Sequence, residues 1–167
     1  RLGLDLDTLA GIGLGLGADV PVFVHGQAAF GEGVGERLTP AHPPEDWFVV
    51  LKPDCHINTG KIFSEEGLTR DTPKIKIAPA FEGDASRYRN DCEDVVRKLY
   101  PEVNQSLEWL SQFGPARLTG TGACIFGRFP TESAARIIWE SKPSGITGFV
   151  AKGVNLSPLH KKLTELE

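Results

Sequence analysis

Apolar residues recur at near-helical spacing where the chain opens: Leu4, Leu6, Leu9, Ile12 and Leu16 form a rough stripe that predicts a helix over 5–15. The glycines at 11, 13, 15 and 17 weaken that helix and end it. Val20-Pro-Val-Phe-Val24 is rich in β-branched side chains and predicts a short strand. Pro21 would place it at an edge or a strand start, because proline cannot donate to a ladder. Gly26 turns the chain, and Gln27–Phe30 with Val34–Leu38 predict a hairpin, Gly31, Gly33 and Gly35 allowing bends.

Pro40-Ala-His-Pro-Pro-Glu-Asp46 breaks the pattern and marks a loop and candidate domain boundary. Beyond it Trp47–Leu51 is a hydrophobic strand, and Asn58 or Thr59 can cap a short helix running to Glu66. Residues 67–89 are rich in Gly, Pro and charge and predict irregular chain. Asn90 followed by Glu93 has the spacing of a capping box ahead of Val95, Val96 and Leu99. A helix over 102–113 carries Val103, Leu107 and Leu110 on one face. Ala116–Thr119 and Ala123–Phe129 are strands joined through Gly120-Thr-Gly122. Thr131 caps a helix over 132–141 with Ala135, Ile138 and Trp139 inward, and Ile146–Ala151 is a last strand. After residue 46 this order suits an α+β sandwich, with helices on one face of an antiparallel sheet.

Composition narrows the class. The hydrophobic fraction is 40%, with Gly 19 and Pro 12 in 167 residues, an ordinary globular balance able to bury a core. Net charge is −4 with the cations dispersed, so no basic stripe marks a nucleic-acid surface. No apolar run approaches the roughly 18–20 residues that span a bilayer, and residues 1–20 lack a signal pattern. Cys55, Cys92 and Cys124 are odd in number and far apart, which argues for a reducing, cytoplasmic setting rather than a disulfide framework. The histidines at 25, 42, 56 and 160 show no metal-ligand spacing with them.

A few positions can carry chemistry. Asp19 lies between a glycine-rich helix end and a proline-containing segment, where a carboxylate can project into a cleft and accept a proton. From spacing alone such an Asp is a turn or capping residue. Gly120-Thr-Gly122 can present consecutive amides to phosphate oxygens, although such turns mostly connect strands. Gly13-Leu-Gly-Leu-Gly-Ala18 satisfies a loose G-x-G-x-x-A pattern, but a dinucleotide site needs a strand before it and a helix after, the reverse of the order here. Cys124 reads as buried and inert, His25 as a surface residue ending a strand, and Lys152 and Lys161 as solvated.

Leu16-Gly-Ala-Asp-Val-Pro-Val-Phe-Val-His-Gly26, Gly31-Glu-Gly-Val-Gly-Glu36, Asn90-Asp-Cys-Glu93 and Leu118-Thr-Gly-Thr-Gly-Ala-Cys-Ile-Phe126 stand in that order. Together they resemble the 4-diphosphocytidyl-2-C-methyl-D-erythritol kinases, small-molecule kinases of the GHMP superfamily in non-mevalonate isoprenoid synthesis. The likeness extends through Gly148–Lys152 and Asn155–Pro158. It implies a GHMP kinase C-terminal region of ferredoxin-like build at 46–153, preceded by a helix and hairpin from the ATP-binding domain at 1–45 and followed by a tail at 154–167.

The resemblance implies that Asp19 is the general base at the hydroxyl receiving phosphate, and that Gly120, Thr121 and Gly122 lie beside the phosphates. It places Thr59 near the methylerythritol and Phe63 on the cytosine ring. Ser64 departs from relatives that carry Lys directly after the aromatic. Asn90–Glu93 matches strongly, yet its local pattern assigns it a structural, helix-capping role. ATP and Mg²⁺ are the implied cofactors. The family's phosphate loop, its catalytic Lys and the rest of its cytosine clamp are not in this chain, so the chain is expected to be an N-terminally incomplete part, inactive alone, whose partner is the N-terminal half of the same protein. No nucleic acid or membrane is expected as a partner. Two other readings stay open: a non-catalytic module binding a cytidine diphosphate ester, and an α+β domain for protein or RNA contact.

Overall fold

The structure is a computed structural model and describes residues 3–73 and 89–165. The chain divides into two units, one comprising residues up to Glu45 together with those from Val154 onward, the other Asp46–Gly153.

The second unit begins with β3 (Trp47–Lys52), preceded in the chain by the first unit's strands β1 (Ala29–Glu32) and β2 (Arg37–Pro40). It continues through α3 (Thr59–Ser64), α4 (Glu93–Leu99), α5 (Pro101–Ser111), β4 (Ala116–Leu118), β5 (Ile125–Phe129), α6 (Glu132–Glu140) and β6 (Thr147–Lys152). The sheet runs β4-β5-β3-β6 with every neighbouring pair antiparallel. Strand, helices, two strands, helix and strand in that spatial order make the split βαβ, ferredoxin-like arrangement. Period-two alternation puts Val49 and Leu51 of β3 and Ile125 and Phe129 of β5 on one face, where they are buried. Against them pack Ile62, Val95, Val96, Val103, Leu107, Leu110, Ala135 and Ile138 from the four helices. Each fully buried Leu, Ile or Val of this cluster contributes roughly 1.5–3 kcal/mol through apolar burial.

Local signals set the helix limits. Asn58 Oδ1 accepts from Lys61 N (3.0 Å) at the start of α3, and Thr131 Oγ1 accepts from Ala134 N (3.2 Å) at the start of α6. Tyr100, held extended before Pro101, separates α4 from α5, and Pro101 takes the first turn of α5, where no donor is needed. The predicted irregular stretch 67–89 is in part outside the described residues, at 74–88. The capping-box expectation for Asn90 and Glu93 does not hold: Cys92 is the N-cap residue of α4 without a side-chain cap bond, and both polar side chains reach across to β4 and the turn after it.

In the first unit α1 (Leu6–Leu14) is capped by Asp5, whose Oδ1 accepts from Thr8 N at 2.7 Å. The small residues Ala10 and Gly13 are its buried positions, and the leucine stripe is exposed at Leu6, Leu9 and Ile12. The segment predicted as a strand is a helix, α2 (Val20–His25). Pro21 occupies its first turn and Gly26 closes it in the left-handed conformation, a start and a stop signal that outweigh the β-branched run between them. His25 therefore ends a helix, half-buried, with Nε2 3.9 Å from the Asp7 carboxylate. The hairpin forms from β1 (Ala29–Glu32) and β2 (Arg37–Pro40).

Residues after 153 return to this unit and end in α7 (Pro158–Thr164). Ser157 N donates to Gly26 O and Ala28 N to Asn155 O, both at 2.8 Å, and Gln27 bridges Leu156. Asn155 donates from its own N to Glu45 Oε1 (2.8 Å) and from Nδ2 to Pro43 O (3.0 Å).

Candidate active site

Asp19 sits in the turn between α1 and α2, exposed, with φ −85° and ψ −10°. It holds the N-cap position of α2, yet its side chain makes no cap hydrogen bond. The local role that such an Asp ordinarily plays is therefore not taken up. The tip of the β1–β2 hairpin braces the turn from the other side. Gly35 has φ +116°, and a Cβ there would stand 3.0 Å from Ala18 O, so the hairpin can reach the residue before Asp19 only with glycine at this place. Glu36 folds its carboxylate back over the same tip and accepts from Val34 N at 2.7 Å. Backbone hydrogen bonds at Glu36 itself and at Val34 hold this carboxyl below the usual range.

The second unit gathers the other candidates. Thr119–Cys124 forms the turn between β4 and β5, closed by Thr119 N to Cys124 O (2.9 Å) and Gly122 N to Thr119 O (2.8 Å). Gly122, at φ +91° with a would-be Cβ 2.7 Å from Ile57 Cδ1, has no room for a side chain. Thr121 Oγ1 lies 2.9 Å from Thr59 Oγ1, at the first position of α3. One turn on, Phe63 is 57% exposed, a large apolar ring left in solvent rather than in the core. Thus Thr59, Thr121 and the glycine turn come together in one unit, with Phe63 on the same short helix as Thr59, while Asp19 belongs to the first unit.

One supporting residue, Arg70, escaped the sequence reading, and another, Asn90, was read as a helix cap and bonds elsewhere. Arg70 donates to the carbonyl oxygens of Phe63 (2.7 Å), Glu65 (3.1 Å) and Leu68 (3.0 Å), so one guanidinium fixes the end of α3. Asn90 Nδ2 donates to Leu118 O (3.1 Å) and Gly120 O (2.6 Å). No local pattern predicts either contact. Ser64 donates its hydroxyl to Gly60 O (2.8 Å), so it is engaged within its own helix.

The cysteines are free among the described residues. Cys92 is buried, and burial, then Asp91, pushes its thiol up; burial, then Glu102 and Asp54, does the same to Cys55. Neither is an activated nucleophile. Cys124, expected to be buried, is half-buried instead, because it ends the turn before β5 begins at Ile125. Among the described residues no three His, Cys, Asp or Glu side chains gather as metal ligands would, and no helix is long and apolar enough to cross a membrane.

Residues 77–141 match the family described as GHMP kinases C terminal. Over all of its length the chain is 89% identical to a 4-diphosphocytidyl-2-C-methyl-D-erythritol kinase of Marinobacter nauticus. The chain is thus similar, along its whole length, to the C-terminal part of kinases of that name. It is 52% identical, over 99% of its length, to the enzyme of the same name from Mannheimia succiniciproducens. A crystal structure of a 4-(cytidine 5'-diphospho)-2C-methyl-D-erythritol kinase superposes with a TM-score of 0.73 at 28% identity, covering 90% of this chain. The chain spans 58% and 54% of the length of the two bacterial relatives and 57% of the crystallised one.

Proposed function

We propose that the protein carrying this chain transfers the γ-phosphoryl group of ATP to the 2-hydroxyl of 4-diphosphocytidyl-2-C-methyl-D-erythritol, in the non-mevalonate route to isoprenoids. The observation that carries the reading is the 89% identity, across the whole chain, to a relative bearing that kinase's name. The geometry supports the roles. Asp19, exposed and not spent on capping, accepts the hydroxyl proton as the oxygen attacks the γ-phosphorus and the bond to the β-phosphate oxygen breaks. The amides of Gly120 and Thr121 face developing charge on the transferred group, and Gly122, its own N–H donated to Thr119 O, closes the turn beside it. Thr59 meets the sugar alcohol, and the exposed ring of Phe63 stacks on cytosine.

In this reading residues 1–45 belong to the ATP-binding domain and 46–153 form the substrate-side domain. The Lys that pairs with Asp19 and the loop cradling the triphosphate are assigned to a part of the protein outside these residues, and the 167-residue chain alone is inactive. Mg²⁺ would neutralise phosphate charge, but the described residues offer it no ready cluster, so no step is assigned to it here. Three free thiols suit a cytoplasmic setting.

The test is ATP-dependent phosphorylation of the cytidylyl substrate by the protein expressed from its full coding sequence, with Asp19→Asn alongside. Turnover should fall by about 10²–10⁴-fold, the share that a general base supplies. Thermal unfolding should stay unchanged. Near-normal turnover in Asp19→Asn would remove the base role. Binding of cytidine nucleotides with no phosphorylation by the unaltered protein would replace the kinase with a non-catalytic binding module.

A further inference from the structure

Asn90-Asp-Cys-Glu93 is the motif that the proposed chemistry leaves unused. We propose that Asn90 is the positioning residue of the Gly120–Gly122 turn, aiming the Thr121 amide at the phosphate; the last clause rests on the reading of that turn given above.

Both donors of the Asn90 side-chain amide are engaged, and its oxygen accepts as well. Nδ2 donates to Leu118 O at 3.1 Å and to Gly120 O at 2.6 Å, while Oδ1 accepts from Cys92 N at 3.0 Å. Rotating the amide by half a turn would lose all three bonds, so its orientation is fixed. Glu93 adds a fourth contact, accepting Leu118 N on Oε2 at 3.0 Å. Leu118 is thereby held at both its N–H and its C=O from the start of α4, and the strand enters the turn at a set angle.

The bond to Gly120 has the larger consequence. The Gly120–Thr121 peptide is planar and trans, so its carbonyl and its N–H point in opposite directions. Tying Gly120 O to Asn90 therefore turns the Thr121 N–H away from Asn90, toward the exposed side of the turn. The turn's own two closing bonds involve Thr119, Gly122 and Cys124 and leave that peptide unconstrained. Asn90 supplies the missing constraint, and a pre-aimed N–H is what a phosphate oxygen requires.

The experiment uses Asn90→Asp and Asn90→Ala in the protein expressed from its full coding sequence. Asp keeps an acceptor for Cys92 N but sets a carboxylate against two carbonyl oxygens; Ala removes the donors without adding charge. Amide hydrogen exchange at Thr119 and Gly122, whose N–H groups close the turn, should rise about tenfold in both, the effect of losing one hydrogen bond, while exchange at Val95 and Val96 in α4 stays constant. Turnover should fall by about ten- to a hundredfold, as misplacement of a binding group does. Unchanged exchange at Thr119 and Gly122 in both variants overturns the proposal whatever the activity. A uniform rise through α4 also overturns it, by making Asn90 a part of helix stability alone. A local rise with full activity upholds the hold of Asn90 on the turn and sinks the phosphate reading of that turn instead.

Discussion

The hydroxyl groups of Thr59 and Thr121 lie 2.9 Å apart although 62 positions separate them in the chain. One opens α3 and the other sits at the middle of the Gly120–Gly122 turn. The bond joins the element assigned to the sugar alcohol with the one assigned to phosphate. Thr59→Val and Thr121→Val should each lose the same interaction, so their destabilisations should overshoot the double variant by about 0.5–1.5 kcal/mol. Urea unfolding of the four proteins measures this, and strict additivity would show that the bond contributes nothing in solution.

Ile62 and Phe63 are sequence neighbours with opposite fates, the first fully buried and the second largely in solvent. Ile62→Ala should cost about 2–5 kcal/mol of stability, through lost transfer energy and a residual cavity. Phe63→Ala should change stability by less than about 0.5 kcal/mol and weaken cytidine nucleotide binding by about 1–3 kcal/mol, the worth of one stacked base. Calorimetric titration with cytidine diphosphate separates the two; undiminished affinity in Phe63→Ala would remove the stacking role.

Gly35 and Gly11 should respond to alanine with opposite signs. At Gly35 a side chain meets both a positive φ and the Ala18 carbonyl, and the cost should be about 1–3 kcal/mol, with turnover falling as the Asp19 turn shifts. At Gly11, inside α1 with nothing within 4 Å of a new Cβ, alanine should stabilise by about 1 kcal/mol through helix propensity. Thermal melts of the two variants decide it, and a stabilised Gly35→Ala would show that the hairpin tip does not press on that turn.

Acid should act on the same tip. The Glu36 carboxyl is lowered by its backbone hydrogen bonds, so the folded form holds the proton less tightly than the unfolded chain does. Its contribution is present above the ordinary carboxylate pKa and is lost as pH falls through the lowered folded value. Glu36→Gln should flatten the stability-versus-pH curve on the acid side and leave its neutral limb parallel. A curve unchanged in the acid region would place the carboxylate in water, off the Val34 amide.

The strands, the helix faces and the α+β order after residue 46 were legible because each rests on a short-range period: Val49 and Leu51 alternate, and Val103, Leu107 and Leu110 recur at helical spacing, while the ferredoxin-like build came with the resemblance. The α2 segment was misread because propensity pulled toward a strand, while the boundary residues Pro21 and Gly26 carried the deciding information. Asn90 and Glu93 fitted a local template, yet their partners lie 25 to 30 residues downstream, beyond the reach of any local rule. Ser157-Pro158, a cap residue followed by a first-turn proline, announced α7 in a stretch otherwise read as tail. Asp19 and the glycine turn were visible as motifs; the Thr59–Thr121 pairing and the hold of Arg70 on α3 are tertiary and left no mark on the sequence pattern.

The return of residues 154–164 to the first unit bears on how the protein is made. A ribosome emits Gln27 long before Leu156, so the bridge between them waits until the 128 intervening positions have been synthesised. Asp46–Gly153 can complete its sheet during that interval, because all its strands are contiguous within it. The unit bearing Asp19 starts first and finishes last, so a nascent chain stalled before Asn155 would display a finished ferredoxin-like unit beside a hairpin still lacking its final strand contact.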